Sequence, residues 1–168
     1  MARSIMTKTC LLLIDVQRGF ISDYTSRCIP FIHSTLEEST FDLVIATQFY
    51  NPTPSLFREQ IHWHKFSDDS DIALDDAVRE HADLVIRKST YSAGQDLINV
   101  LKVNKIEKVV VMGIDTDVCV AINSALLFDN LIPVTIDSRG CATNGGPEAE
   151  KAAINMLKRY IGYDFVIE

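Results

Sequence analysis

Six short segments of this chain are built around continuous rather than alternating apolar residues: 9–15, 42–47, 83–87, 107–113, 132–137 and 163–167. They are rich in Val, Ile and Leu. Leu11-Leu12-Leu13-Ile14 and Val109-Val110-Val111-Met112 show the pattern most plainly. A strand covered on one face alternates apolar and polar residues, whereas a strand covered on both faces reads as an unbroken apolar run. Between the runs lie longer segments with helical spacing, at 29–39, 93–103, 117–129 and 146–160. The last has Pro147 in its first turn, Glu148 and Glu150 near the positive dipole end, and Lys158 and Arg159 near the other. Strands alternating with helices require right-handed crossovers and a mainly parallel sheet with helices on both sides. The expected fold is therefore α/β, a three-layer α/β/α arrangement of Rossmann-like type. At 168 residues, the chain suits one domain spanning 1–168.

Charge and composition narrow the function. The net charge of −7 argues against nucleic acid as a partner, because phosphate binding needs a basic face. No run approaches the roughly 20 apolar residues of a membrane span. Met1 to Lys8 carry positive charge ahead of Cys10–Ile14, but that stretch is closed by Asp15 and is too short for a signal-peptide core. The four cysteines, Cys10, Cys28, Cys119 and Cys141, form no CxxC pair and no zinc-finger spacing, which points to a reduced, cytoplasmic setting. The turn Asp15-Val16-Gln17-Arg18-Gly19-Phe20 has one glycine where a dinucleotide fingerprint needs three. A cysteine phosphatase would carry an arginine where this chain has Ala125. The stretch 48–80 breaks the alternation. It is polar, holds Pro52 and Pro54, and is expected to be a solvated surface excursion with one or two short helices.

In an open α/β sheet, ligands bind outside the carboxyl ends of the strands. Three reactive groups close strand runs here: Asp15 after the first, Lys88 after the third and Cys119 after the fourth. Each has an ordinary reading alone. Asp15 suits a helix cap, Lys88 a solvated lysine after an edge strand, and Cys119 a small apolar residue on a buried helix face. Together they form a working unit. Asp15 accepts the thiol proton, Lys88 keeps Asp15 ionised and stabilises the thiolate, and the sulfur attacks a carbonyl carbon. Placed in the first turn of a helix, the Cys119 thiol is expected to have a pKa lowered toward neutrality. It should then alkylate well below about pH 8, and more slowly once Asp15 or Lys88 is replaced by Ala.

Four segments in order resemble the isochorismatase-like cysteine hydrolases, a superfamily that includes nicotinamidases, N-carbamoylsarcosine amidohydrolases and ureidoacrylate hydrolases. Leu11 to Phe20 resembles the first strand, catalytic Asp and D-x-Q-x-x-F turn. Arg87-Lys88-Ser89-Thr90-Tyr91-Ser92-Ala93 resembles the lysine segment, Gly113-Ile114-Asp115-Thr116-Asp117-Val118-Cys119-Val120 the nucleophile elbow, and Val134 to Ala142 the strand that follows. The resemblance covers nearly the whole chain. It implies a six-stranded parallel sheet, an Asp15–Lys88–Cys119 triad, and a non-proline cis peptide at Ile114–Asp115. It also implies an oxyanion hole formed by the backbone N–H groups of Asp115 and Cys119, and assembly as a homodimer or larger homo-oligomer. The implied activity is hydrolysis of a C–N bond in a small amide, carbamoyl or ureido substrate through a thioester.

The match departs from the family in three places. Nicotinamidases place an Asp and a His after the second strand to bind a metal; Phe49 and Asn51 stand there in this chain, so no metal and no cofactor is expected. His62 and His64 alternate in sequence but read as surface or packing residues. The lysine segment of relatives runs on to a pocket Phe, where this chain has Gly94. Candidate pocket walls are Phe20, Phe49, Tyr50, Trp63 and Tyr91. Retention of Cys119 favours carbonyl chemistry over isochorismate-type ether hydrolysis. The alternative readings are a catalytically silent or weak member that acts in binding or assembly, and an isochorismate-type ether hydrolase.

Overall fold

The computed structural model describes residues 7–168. The positively charged start, Met1 to Met6, lies outside the described residues. Six strands form one sheet: β1 (Thr9–Ile14), β2 (Leu43–Phe49), β3 (Leu84–Lys88), β4 (Lys108–Ile114), β5 (Val134–Ala142) and β6 (Val166–Ile167). Their order is β3-β2-β1-β4-β5-β6, and every neighbouring pair is parallel. Seven α-helices are present among the described residues: α1 (Ile29–Glu37), α2 (Leu56–Glu59), α3 (Asp69–Ile72), α4 (Asp76–His81), α5 (Gly94–Val103), α6 (Ala121–Asp129) and α7 (Pro147–Ile161). This is an α/β fold with an all-parallel sheet.

The unbroken apolar runs follow from burial on both faces. Along β1, Cys10, Leu12 and Ile14 point into a core with Leu97, Ile98 and Leu101 of α5, Leu127 of α6 and Leu157 of α7. Leu11 and Leu13 point the other way, onto Ile32 and Leu36 of α1 and Val78 of α4. All five β1 residues from Cys10 to Ile14 are fully buried. The order places β1 and β4 side by side where the chain reverses its direction of sheet growth. That switch point is where this architecture opens a crevice for ligands.

The structure corrects the expected elements in three places. β3 is an edge strand, with Leu84, Val85 and Arg87 exposed rather than covered. Residues 163–165 form a 3-10 turn, which leaves β6 only two residues long. Residues 48–80 are not a solvated excursion. They hold three short helices, and Phe57 and Phe66 pack with Phe49 into a separate buried aromatic cluster, bordered by Phe20, Trp63 and Ile72. The polar composition of that stretch hides two inward-facing rings about a helix apart.

Candidate active site

Asp15 directly follows β1 in a left-handed backbone conformation, φ 49°. Asp tolerates this region because its short side chain can bond locally. The carboxylate is fully buried and well held. Its Oδ1 accepts the Thr47 hydroxyl proton at 2.7 Å, and Thr47 Oγ1 accepts the Asp15 backbone N–H at 3.0 Å. Its Oδ2 accepts from Lys88 Nζ at 2.7 Å, in an ion pair whose side chains are 3% and 0% exposed.

Lys88 is the last residue of β3, two strands from β1, and its side chain crosses the end of β2 to reach the carboxylate. Nζ stands 5.2 Å from the centre of the Phe49 ring, donates to Thr90 O at 3.0 Å, and approaches Cys119 Sγ at 3.8 Å. The structure thus brings Asp15, Lys88 and Cys119 together.

Cys119 sits in a single π-helical turn, Thr116–Val120, that precedes α6. The α6 helix therefore starts at Ala121 rather than 117. The bonds closing the turn come from Val118 and Val120, on either side of Cys119, and both end on Asp115 O at 3.1 Å. Such turns recur at functional sites. The Ile114–Asp115 peptide is cis. Gly113, just before it, has φ 138°, and a Cβ there would lie 2.2 Å from Ile14 O, so only glycine lets β4 approach β1 this closely.

The expected lowering of the thiol pKa is overturned. Burial pushes the Cys119 thiol well above its usual value, the charge of Asp15 pushes it further up, and Lys88 opposes both. Desolvation of a thiolate outweighs what a helix start supplies when the cysteine is only 7% exposed. Burial likewise pushes Cys10 up to about 12 and Cys28 up to about 11. What sets Cys119 apart is the acid–base pair beside it.

Three further side chains hold this arrangement, of which only Gln17, in the D-x-Q-x-x-F turn, is marked by the sequence. Thr47 fixes Asp15. Asn123 on α6 ties the cysteine turn to the lysine loop, with Nδ2 donating to Cys119 O at 2.8 Å and Tyr91 O at 3.0 Å, and Oδ1 accepting from Ala93 N at 2.7 Å. Gln17 clamps the end of β2. It accepts Phe49 N–H at 2.7 Å and donates to Phe49 O at 2.9 Å and Ile72 O at 2.7 Å.

A cavity of about 300 Å³ opens over the sulfur, lined by Phe20, Phe49, Phe57, Trp63, Tyr91 and Asp115, with Ile61, Val118 and Cys119 completing it. An open groove of about 700 Å³ elsewhere, between Arg27, Arg139 and Glu150, is larger but holds none of the three reactive groups. Tyr50, expected in the wall, is not part of it; its ring packs under Arg87, 4.9 Å from the guanidinium carbon. Strand alternation sends residue 50 away from the face that Phe49 presents to the cavity. Gly94 also stands apart from the lining. It opens α5 with φ 58°, and a Cβ there would meet nothing within 4 Å.

The residues do not fit the metal of the nicotinamidase pattern. The Phe49 ring is packed edge-on against Phe57, 5.0 Å between centres. Asn51 Nδ2 donates to Trp63 O at 3.0 Å and Lys65 O at 3.1 Å, and its Oδ1 accepts from Ser55, so its polar atoms close a loop. His62 and His64 are exposed, and His64 Nδ1 lies 3.3 Å from Arg58 Nη1. Among the described residues, no group of three or more His, Cys, Asp or Glu side chains is placed to hold a metal ion, nor is any helix long and apolar enough to cross a membrane.

Residues 9–163 match the isochorismatase domain. The chain belongs to the isochorismatase family of hydrolases. Three solved structures carry the same fold. An isochorismatase-like hydrolase from Alkaliphilus metalliredigens superposes with a TM-score of 0.84 at 20% identity, over 96% of this chain and 94% of that one. The nicotinamidase/pyrazinamidase PncA of Bacillus subtilis gives 0.79 at 19% identity, over 96% and 100%. N-carbamoylsarcosine amidase from Thermoplasma acidophilum gives 0.79 at 19% identity, over 96% and 95%. At these identities the likeness is one of fold. No protein of curated function matches the sequence.

Proposed function

We propose that this chain is a cysteine hydrolase that cleaves a C–N bond of a small amide, carbamoyl or ureido substrate through a thioester. One observation carries the reading: Lys88 Nζ lies 2.7 Å from Asp15 and 3.8 Å from Cys119 Sγ beneath a cavity that admits a small molecule. The thiol rests protonated, because burial and the Asp15 charge favour that form. Asp15 takes its proton as the sulfur attacks the carbonyl carbon. The new C–S bond forms as the carbonyl π pair moves to oxygen, and the backbone N–H groups of Asp115 and Cys119 receive the oxyanion. Asp15 then protonates the departing nitrogen as the C–N bond breaks. Water, deprotonated by Asp15, attacks the thioester; the C–S bond breaks and Asp15 returns the proton to sulfur. Lys88 keeps the site electrically balanced throughout, pairing first with the carboxylate and then with the thiolate. Losing one oxyanion donor costs roughly 10²–10³ in rate in comparable sites.

Two structural neighbours, a nicotinamidase/pyrazinamidase and an N-carbamoylsarcosine amidase, support this chemistry by analogy. The same reading has the chain working as a homo-oligomer in a reducing compartment, in keeping with its four unpaired thiols. A panel of primary amides, carbamoyl compounds and ureides with ammonia detection tests it. Turnover is expected in the wild type and absent in Cys119→Ala. Turnover that survives Cys119→Ala overturns the mechanism, and no turnover on any substrate favours a binding role.

A further inference from the structure

The cavity over Cys119 has one charged residue in its wall. Phe20, Phe49, Phe57, Ile61, Trp63, Tyr91 and Val118 carry no charge, and Lys88 is occupied beneath by Asp15 and Thr90 O. Asp15 and Lys88 cancel each other. Among the described residues, Asp115 is left as the only uncompensated charge lining the space. Its Oδ1 is fixed by two donors from Asn144, the backbone N–H at 2.9 Å and Nδ2 at 2.8 Å. Asn144 Nδ2 is itself anchored to Phe20 O at 3.0 Å, and its Oδ1 accepts from Ser22 Oγ at 2.7 Å. Oδ2 of Asp115 has no donor among the described residues, although the residue is half-buried. A carboxyl group held through one oxygen, with the other free of a donor in a residue that lines an apolar cavity, is an acceptor awaiting a donor.

We infer that the Asp115 carboxylate is a specificity determinant, selecting substrates whose non-reacting end carries a cationic N–H group and rejecting those that carry a carboxylate. This deepens the amide-hydrolase reading and rests on it for the word substrate. Burial raises the Asp115 pKa above the usual carboxylate value, the two Asn144 donors oppose that shift, and the nearby Asp117 and Asp15 charges add to it. The aromatic lining supports a cation further, since ring faces attract one and an apolar wall strengthens the attraction. An anionic substrate would meet no free positive group in the wall and one negative one.

The test uses oppositely charged probes with one reactive head on the Cys119 sulfur. Aminoethyl and sulfonatoethyl methanethiosulfonate each transfer a thioalkyl group to the Cys119 thiolate, forming a disulfide and releasing methanesulfinate. Second-order rates are read by mass spectrometry on the peptide bearing Cys119, with Cys119→Ala as background. The cation-to-anion rate ratio is normalised to a free small thiol. The wild-type ratio is expected to exceed unity by roughly tenfold or more, and to fall toward unity in both Asp115→Asn and Asp115→Ala. A merely structural role for Asp115 would shift both reagents alike and leave the ratio unchanged. A wild-type ratio near unity, which needs no variant to measure, or a ratio unaltered by both substitutions, overturns the inference. In a parallel arm, para-(aminomethyl)benzamide, para-methylbenzamide and terephthalamate are compared by kcat/KM, and the first is expected to be best. If the reagent ratio holds while no amide turns over, the hydrolase reading fails and the charge selectivity stands. Cys119-dependent turnover with no charge preference sinks the selectivity alone.

Discussion

Replacing Lys88 by Met puts the buried ion pair to its severest test. In the wild type, Nζ sits 2.7 Å from Asp15 Oδ2 with both side chains almost wholly withdrawn from water. Met fills most of the lysine stem but leaves Asp15 with no cationic partner, only the neutral Thr47 hydroxyl and Cys119 thiol. Breaking a buried pair from one side strands the other charge and costs about 3–5 kcal/mol. For a chain of this size each kcal/mol lowers Tm by roughly 2–4 °C, so Lys88→Met should melt about 6–20 °C below wild type. Adding Asp15→Asn removes the stranded charge, and replacing a whole buried pair is often close to neutral. The double variant should therefore melt well above Lys88→Met. Thermal melts followed by circular dichroism, with urea titrations for the free energies, read both effects. A Lys88→Met protein within about 2 °C of wild type, or a double variant that falls by the sum of the single losses, would refute the claim that the two groups share one buried site.

Other substitutions probe neighbouring parts of the argument. Because the Asp15 charge raises the Cys119 pKa and Lys88 lowers it, Asp15→Asn should alkylate faster than wild type at fixed pH and Lys88→Met more slowly, while both lose amide turnover. The thiolate fraction grows with pH, so the wild-type alkylation rate should still be climbing above about pH 9; iodoacetamide kinetics across pH check both points. Thr47→Val removes the donor to Asp15 Oδ1 and the acceptor for Asp15 N–H, which should cost about 1–3 kcal/mol in urea unfolding. Gly113→Ala drives a methyl group to 2.2 Å from Ile14 O at a positive φ. It should cost at least about 3 kcal/mol or abolish soluble expression.

The fold was legible where burial is two-sided. β1 reads as Leu11-Leu12-Leu13-Ile14 because alternate residues enter two different cores. β3 carries the same apolar run, yet Leu84 and Val85 are exposed at the edge, and nothing in a run of residues says whether a further strand lies beyond it. Asp15, Lys88 and Cys119 were readable because each stands at the end of an apolar run, which the parallel topology sends to one rim of the sheet. Thr47, Asn123 and Asn144 were not. Thr47 meets Asp15, Asn123 meets Ala93 and Asn144 meets Asp115 across 32, 30 and 29 residues of sequence, through contacts that leave no local periodicity. The start of α6 was misplaced for a related reason. The apolar spacing of residues 117–120 is the same whether the turn closes as an α-helix or, as here, as one π turn. The Cys119 pKa was misjudged because a helix-start argument is local, whereas the burial that reverses it depends on Phe49, Trp63 and Tyr91 arriving from other parts of the chain.

Rapid acid quench of the wild-type protein during turnover of its best amide, followed by peptide mass spectrometry, probes the nucleophile itself. The account predicts an added acyl mass on the peptide containing Cys119 and no such adduct in Cys119→Ala, which should also be inactive. Steady turnover without any acyl adduct, or with the adduct on another residue, would contradict it.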